Sequence, residues 1–337
     1  MAGYQGGTAP SSPDTAYQYQ DQARTISLPE DLFYTKSGID FLGNQQYYKP
    51  RNEFPQIFGN PLDQGRDFSL SKQREPIPDT KGNRMTGDEY ILSILKKYEV
   101  PRGPESAAEQ AASRIAPKIQ RWAGDWLVAL SYSGSYAKQT AVHGVTDVDI
   151  FISLKPEMPG TLKKIYDELF TLATLHGWHP RRQNVSIGIS INGTDLDLIP
   201  GRAQAGYESY HDLYWLKSDT LRQTDVNLHV DTVAKSPHLR EIQAVKIWRH
   251  IHQLDWPSLY VEFFVMNALA GKSADSLAYN VLSALETIGA TLETTCIVDP
   301  ANLDNILSDE LTSQEKKTIA DQANKSAAEQ HWEDILW

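Results

Sequence analysis

Cysteine is almost missing from this chain: one, Cys296, in 337 residues. A single thiol excludes a disulfide framework and any zinc site built on paired cysteines. A reducing, cytoplasmic setting is the expectation that follows. Long apolar runs are missing too. No stretch of eighteen consecutive apolar residues occurs, so no membrane-spanning helix is expected. The first twenty residues, MAGYQGGTAPSSPDTAYQYQ, have neither the basic start nor the apolar middle of a secretory signal. Positive charge is in deficit, with 32 Lys and Arg against 43 Asp and Glu and a net charge of −11. That balance argues against a protein whose main work is coating long nucleic acid. It leaves open a small nucleotide site, where metal ions bring the positive charge. No P-loop, G-X-G-X-X-G or H-E-X-X-H motif occurs, which sets aside ATPase, dinucleotide and zinc-protease readings.

What is present divides unevenly. Residues 1–85 are rich in Gln, Pro, Gly, Ser and Tyr without sustained periodicity, and read as a mostly irregular extension whose role the residues do not reveal. From Thr86 the pattern becomes that of a folded body. "TGDEYILSILKKYEV" and the Ala-rich "ESAAEQAASRIAPKIQRWAGDWL" read as helices, "WLVALSYSG" and "DVDIFISL" as buried strands, and "TLKKIYDELFTLATLHGW" as an amphipathic helix. In "VSIGISINGTDLDLIP" the Asn192-Gly193 pair predicts a tight hairpin. From about Leu239 the chain reads as helical to its end. The expected fold class is α+β, with a sheet-and-helix lobe over 86–235 and a helical lobe over 236–337. A ligand is expected in the cleft between them.

The chemistry is concentrated in "SGSYAKQTAVHGVTDVDIFISL". Asp147 and Asp149, two apart on a strand, leave the same face, while Val148, Ile150 and Ile152 point into the core. Adjacent like charges repel, and a hard divalent cation between them relieves the repulsion. Asp195 and Asp197 share a face on the hairpin's second strand. Three carboxylates around two magnesium ions form the arrangement for in-line displacement at phosphorus. Gly134 lets a phosphate approach the backbone, Ser135 offers a hydroxyl, and Lys138 lies one turn into the helix that follows. Alone, an Asp-X-Asp is a weak signal and a Gly-Ser pair is usually a turn. Together, with an acid on a later strand, they point to nucleotidyl transfer.

These residues resemble the polymerase-β-type nucleotidyltransferase superfamily. "GSYAKQTAVHGVTDVDIF" and "TDLDLIPGR" are similar to the branch shared by oligoadenylate synthases, archaeal CCA-adding enzymes and the bacterial cyclic-oligonucleotide synthases of anti-phage defence, the CD-NTases. The likeness spans about residues 105–337. It implies Asp147 and Asp149 as metal ligands and, from the "DLIP" context, Asp197 rather than Asp195 as the third. Asp197 also takes the base role toward the attacking hydroxyl. "VKIWRHIHQLDWPSLYVEFFV" resembles a helical-lobe signature in which a Lys and a Ser contact the donor triphosphate, here Lys246 and Ser258. "CIVDPANLDN" resembles a segment near the end of that lobe. Where relatives often carry a small residue or Gly after the basic position, this chain has Gln139, a difference expected to affect only the turn.

The implied function is a magnesium-dependent enzyme, with manganese as a substitute. It would join nucleoside triphosphates, ATP among them, into a cyclic di- or trinucleotide second messenger, with a protein activator as a possible partner. A transferase extending RNA 3′ ends is the alternative; the acidic balance and the single helical lobe count against it. An inactive nucleotide-binding relative is the third reading, and the retained acids count against that. Tyr207, Tyr210 and Tyr214 are equally candidates for base stacking or for core and lid positions. His250 and His252, two apart on a helix, face different sides and do not suit a shared metal.

Overall fold

The computed structural model describes residues 85–145, 147–207 and 209–337; the irregular extension lies outside the described residues. Helix α1 (Gly87–Lys97) begins in a capping box, with Thr86 and Glu89 each accepting the other's backbone N–H. Helix α2 (Ala107–Ala123) is capped by Ser106 and stops at Gly124, whose φ of 54° an L-residue rarely adopts. Strand β1 (Leu127–Tyr132) leads through the single turn α3 (Gly134–Ala137) to β2 (Val148–Leu154), and helix α4 (Leu162–Leu175) follows. Then come β3 (Arg181–Arg182), β4 (Ile187–Ile191) and β5 (Thr194–Ala203). The β4–β5 turn puts Asn192 at φ 51° and Gly193 at φ 81°, both left-handed, as the Asn-Gly pair predicts.

Two strands that the sequence pattern did not announce come next, β6 (Tyr210–Trp215) and β7 (Thr220–Asp225), followed by helix α5 (Val226–Ala234). The sheet runs β1-β2-β5-β4-β3, with β6 joined to β5 and β7 to β6; β2 and β5 are parallel and their neighbours antiparallel. Alternation along β2 and β5 divides the sheet's two faces. Val148, Ile150, Ile152, Leu196 and Leu198 are buried with α2 and α4. The intervening Asp149 and Asp197 lie on the opposite face.

The second lobe comprises α6 (Leu239–Ile251), α7 (Ser258–Ala268), α8 (Leu277–Thr291), a small hairpin of β8 (Val298–Asp299) and β9 (Asn302–Ile306), and α9 (Ser313–Ala328). The sequence reading of a chain helical to its end is corrected here by the β8–β9 hairpin. Asp299 makes the hairpin by accepting from Ala301 N, Asn305 Nδ2 and His229 Nε2, which ties the DPAN turn to α5. Such local side-chain bonds compete with helix. Ile91 and Ile94 of α1, though N-terminal to the sheet, pack in this lobe's core with Trp248, Phe264 and Trp332. The architecture is α+β, a mixed-sheet lobe packed on a mainly helical one.

Candidate functional site

The site grows from one parallel pairing. Asp149 on β2 stands directly opposite Asp197 on β5, so the two acids sit on neighbouring strands, about 4.8 Å apart at the backbone. Asp147 lies one residue before β2, half-buried, and Asp195 lies two residues before Asp197 on the same face. Nothing local in either strand specifies this meeting; the crossover through α4 and the β4–β5 hairpin does.

Gly134 completes the corner. Ser133 N donates to Asp149 O at 2.9 Å, and Gly134 turns with φ 53°. A Cβ built on Gly134 would lie 1.7 Å from Asp149 Oδ2, so that any side chain there would displace the carboxylate. Ser135 follows, buried, its carbonyl accepting from Thr140 N at 2.9 Å. Ser133 Oγ is buried without a hydrogen-bond partner and is a hydroxyl that the sequence reading did not single out. Gln139 takes φ 61°, a left-handed turn in which a glycine would be unstrained, and its carbonyl accepts from Gln243 Nε2 of α6 at 2.6 Å.

Negative charge in this corner is only partly compensated, by Lys138 and Lys246 near Asp149 and by Arg181 near Asp147 and Asp197. Burial and the neighbouring Asp197 push the Asp149 carboxyl up to about 7. Burial and Asp147 push Asp197 up to about 6, against hydrogen bonds from Ser186 and Gln183. Asp147 is raised by burial and then by Asp195. Asp197 Oδ1 is buried with no hydrogen-bond partner, a lone acceptor awaiting a proton or a cation. The donor set is all oxygen, which suits a hard divalent ion. The side chains are not yet gathered into a ligand cage: among the described residues no group of three or more His, Cys, Asp or Glu converges closely enough to hold a metal. Charge, donor type and the orphaned oxygen fit a cation.

Four further residues edge the site, each from the β3–β4 region. Ser186 Oγ lies 3.4 Å from Asp197 Oδ2 and 2.5 Å from Gln183 Oε1. Arg181, half-exposed, reaches Asp195 at 3.9 Å. Gly188, opposite Asp197, leaves the space into which the Arg181 and Gln183 side chains fold. No motif marks them in the sequence, because they reach the acids only through antiparallel pairing.

The remaining predicted residues are placed as follows. Lys138 and Lys246 come together from the two lobes, but their amines are engaged by Glu262 of α7. Ser258 opens α7 and accepts from Arg249 at 3.1 Å. Tyr214 is buried, its hydroxyl donating to Asp219, whereas Tyr207 is 59% exposed and stacks edge-on with Tyr210. His252 packs against Trp248 and Trp337, and His250 lies at the surface. No helix among the described residues is long and apolar enough to cross a membrane.

A mixed sheet with an appended helical lobe is the polymerase-β-like fold, in the form found in the CD-NTases. Solved structures bear this out. The Bradyrhizobium diazoefficiens CD-NTase CdnG in complex with GTP aligns over 72% of this chain and 91% of its own, at 14% identity and a TM-score of 0.60. Escherichia coli MS115-1 CdnC with ATP aligns over 74% and 96%, at 17% identity and 0.59. The Elizabethkingia meningoseptica CdnE cyclic dinucleotide synthase with GTP and Apcpp aligns over 72% and 99%, at 11% identity and 0.55. At such identities the likeness is one of fold. No protein-family model and no curated protein sequence matches the chain.

Proposed function

We propose that this protein is a metal-dependent nucleotidyltransferase that joins nucleoside triphosphates, releasing pyrophosphate, into a cyclic di- or trinucleotide second messenger of anti-phage signalling. The observation that carries the reading is the in-register pair Asp149 and Asp197, with the Asp149 carboxylate packed against Gly134. Solved neighbours holding ATP or GTP support triphosphate binding at this fold. The cyclic dinucleotide synthase among them supports cyclisation.

Asp147, Asp149 and Asp197 would hold the metal, which supplies positive charge to the triphosphate and acidifies the attacking hydroxyl when bound. Magnesium is the proposed ion, with manganese as its substitute. The protein's own groups do the rest. Gly134 lets the Asp149 carboxylate lie against the backbone, and the backbone and hydroxyl groups of the Gly134-Ser135 turn are assigned to the phosphates. Lys138, Lys246 and Ser258 are assigned to the triphosphate side. Asp197 Oδ1 accepts the proton as the hydroxyl oxygen bonds to the α-phosphorus and the bond to pyrophosphate breaks. A second passage of the linear product closes the ring.

The test is incubation with labelled ATP, GTP, CTP and UTP plus magnesium or manganese, followed by phosphatase and mass analysis. A phosphatase-resistant cyclic product, absent with Asp147→Asn/Asp149→Asn, is the expected result. Product only on addition of bulk tRNA would replace cyclisation by RNA extension. Product only on addition of cell extract would place a protein activator upstream.

A further inference from the structure

The lobe boundary holds a buried charge cluster in which Lys138 and Lys246 meet an acid, Glu262, that the sequence reading did not single out. Glu262 on α7 is 0% exposed, and its carboxylate accepts from Lys138 Nζ, from Thr140 Oγ1 and from Lys246 Nζ, the last at 2.9 Å. Lys246 also donates to Thr140 Oγ1 at 3.0 Å, and is itself 0% exposed; Lys138 is 5% exposed. Lys138 and Thr140 follow the α3 turn of the sheet lobe, whereas Lys246 and Glu262 belong to the helical lobe. The cluster therefore exists only when the lobes are docked.

Packing does not require it. Replacing a buried ionic cluster by apolar side chains of similar volume is often neutral or stabilising. Two ammonium groups on one carboxylate leave one positive charge in excess, and Lys138 lies three positions after Ser135 of the Gly-Ser turn. An ammonium carries three N–H donors. The described bonds use one on Lys138 and two on Lys246, so donors remain for an anion. Both lysines also act electrostatically on Asp149, lowering its pKa.

We propose that Glu262 is a positioning residue for the triphosphate: it fixes Lys138 and Lys246 side by side behind Asp149, so that phosphate recognition depends on the two lobes being docked. The inference rests on the nucleotidyltransferase reading and deepens it. Glu262 touches no substrate; it acts through the two amines. Thr140 completes the clamp by bridging Lys246 and Glu262 with one hydroxyl.

The experiment measures pyrophosphate release against ATP concentration at fixed magnesium, for wild type, Glu262→Gln and Thr140→Val. Glu262→Gln is expected to raise KM about tenfold while kcat stays within about threefold, because loosened amines weaken phosphate binding before chemistry. Thr140→Val removes the bridge without changing charge; it serves if Glu262→Gln does not fold, and is expected to raise KM about threefold. An unchanged KM in a folded Glu262→Gln, or in Thr140→Val should Glu262→Gln not fold, overturns the proposal. So does a lowered KM, which would mean that Glu262 competes with phosphate for the lysines. Equal loss of kcat and kcat/KM, with KM unmoved, would assign the cluster to lobe structure alone. Wild type that releases no pyrophosphate from any triphosphate mixture, with or without bulk tRNA or cell extract, fails the nucleotidyltransferase reading itself. Wild type that reacts while the variants keep its KM fails only this inference.

Discussion

Asp149 and Glu262 are acids of one site with opposite fates. Asp149, half-buried beside Asp197 and Asp147, is pushed up to about 7 by burial and then by Asp197. Glu262 is wholly buried, which alone would raise it further, yet Lys138 and Lys246 outweigh burial and hold it down at about 2. Lys246 feels the same enclosure and is lowered to about 8 by desolvation, with Glu262 opposing. Burial therefore does not decide a carboxylate's state; its partners do. One acid is satisfied from within the protein. The other is left short of positive charge, and that shortage is the mark of a site that takes its counter-charge from outside.

The contrast can be broken by mutation, starting where the effect is greatest. Asp147→Asn/Asp149→Asn should lower pyrophosphate release by about a thousandfold or more, on the order of 4 kcal/mol of transition-state stabilisation, measured under saturating triphosphate and magnesium. A loss of less than about tenfold would remove these acids from the chemistry.

Glu262→Ala should lower the free energy of unfolding by about 3–5 kcal/mol, since two buried ammonium groups lose their counter-charge. Denaturant melts in EDTA, without nucleotide, read this directly. A change below about 1 kcal/mol would show that the cluster is open to water.

Asp149→Asn should act the other way. Asp149 and Asp197 both have folded pKa values above the usual carboxylate range, so their contribution to stability is fully present below about pH 4. It is lost as pH rises through about 6 to 7, because the unfolded chain ionises first. Asp149→Asn should therefore flatten the decline of stability over pH 4 to 7 and stabilise the metal-free protein at pH 8 by about 1–3 kcal/mol. Magnesium should raise the melting temperature of wild type at pH 8 and leave that of the variant nearly unmoved. A variant as pH-sensitive as wild type would contradict the assignment.

The smallest effect sharpens the choice between the two hairpin acids. Asp195 pairs with Arg181 at 3.9 Å on an open surface, with both side chains about half exposed. Asp195→Asn should leave turnover within about threefold, as expected for a weak exposed pair, while Asp197→Asn abolishes it. Equal losses would mean that Asp195 serves as well.

Much of this was legible in the chain itself. The Asn192-Gly193 turn needs left-handed backbone, and only such residues supply it cheaply. The alternation through Val148, Ile150 and Ile152 announces which face of β2 is core, and so which face carries the acids. What went unread was either non-local or masked by an apolar setting. Strands β6 and β7 went unannounced because neither "YHDLYW" nor "TLRQTD" shows clean alternation. The β8–β9 hairpin depends on Asp299 collecting donors from both sides of its turn and from α5. Glu262 did leave a trace: a lone acid in "SLYVEFFVMNA", with apolar residues all round. A helix apolar on every side is a buried one, and a charge within it must find a partner.

The sequence by itself determined the main helices, the central strands, the face on which the acids stand and the need for glycine at the turn, because these follow from backbone sterics and from periodicity along a single element. Only the tertiary structure decided that Asp149 meets Asp197, that Gly134 lies under Asp149, and that Lys138 and Lys246 close on one carboxylate. Those contacts join residues as much as 124 positions apart, and their energies depend on which charges burial forces together, which no local pattern encodes.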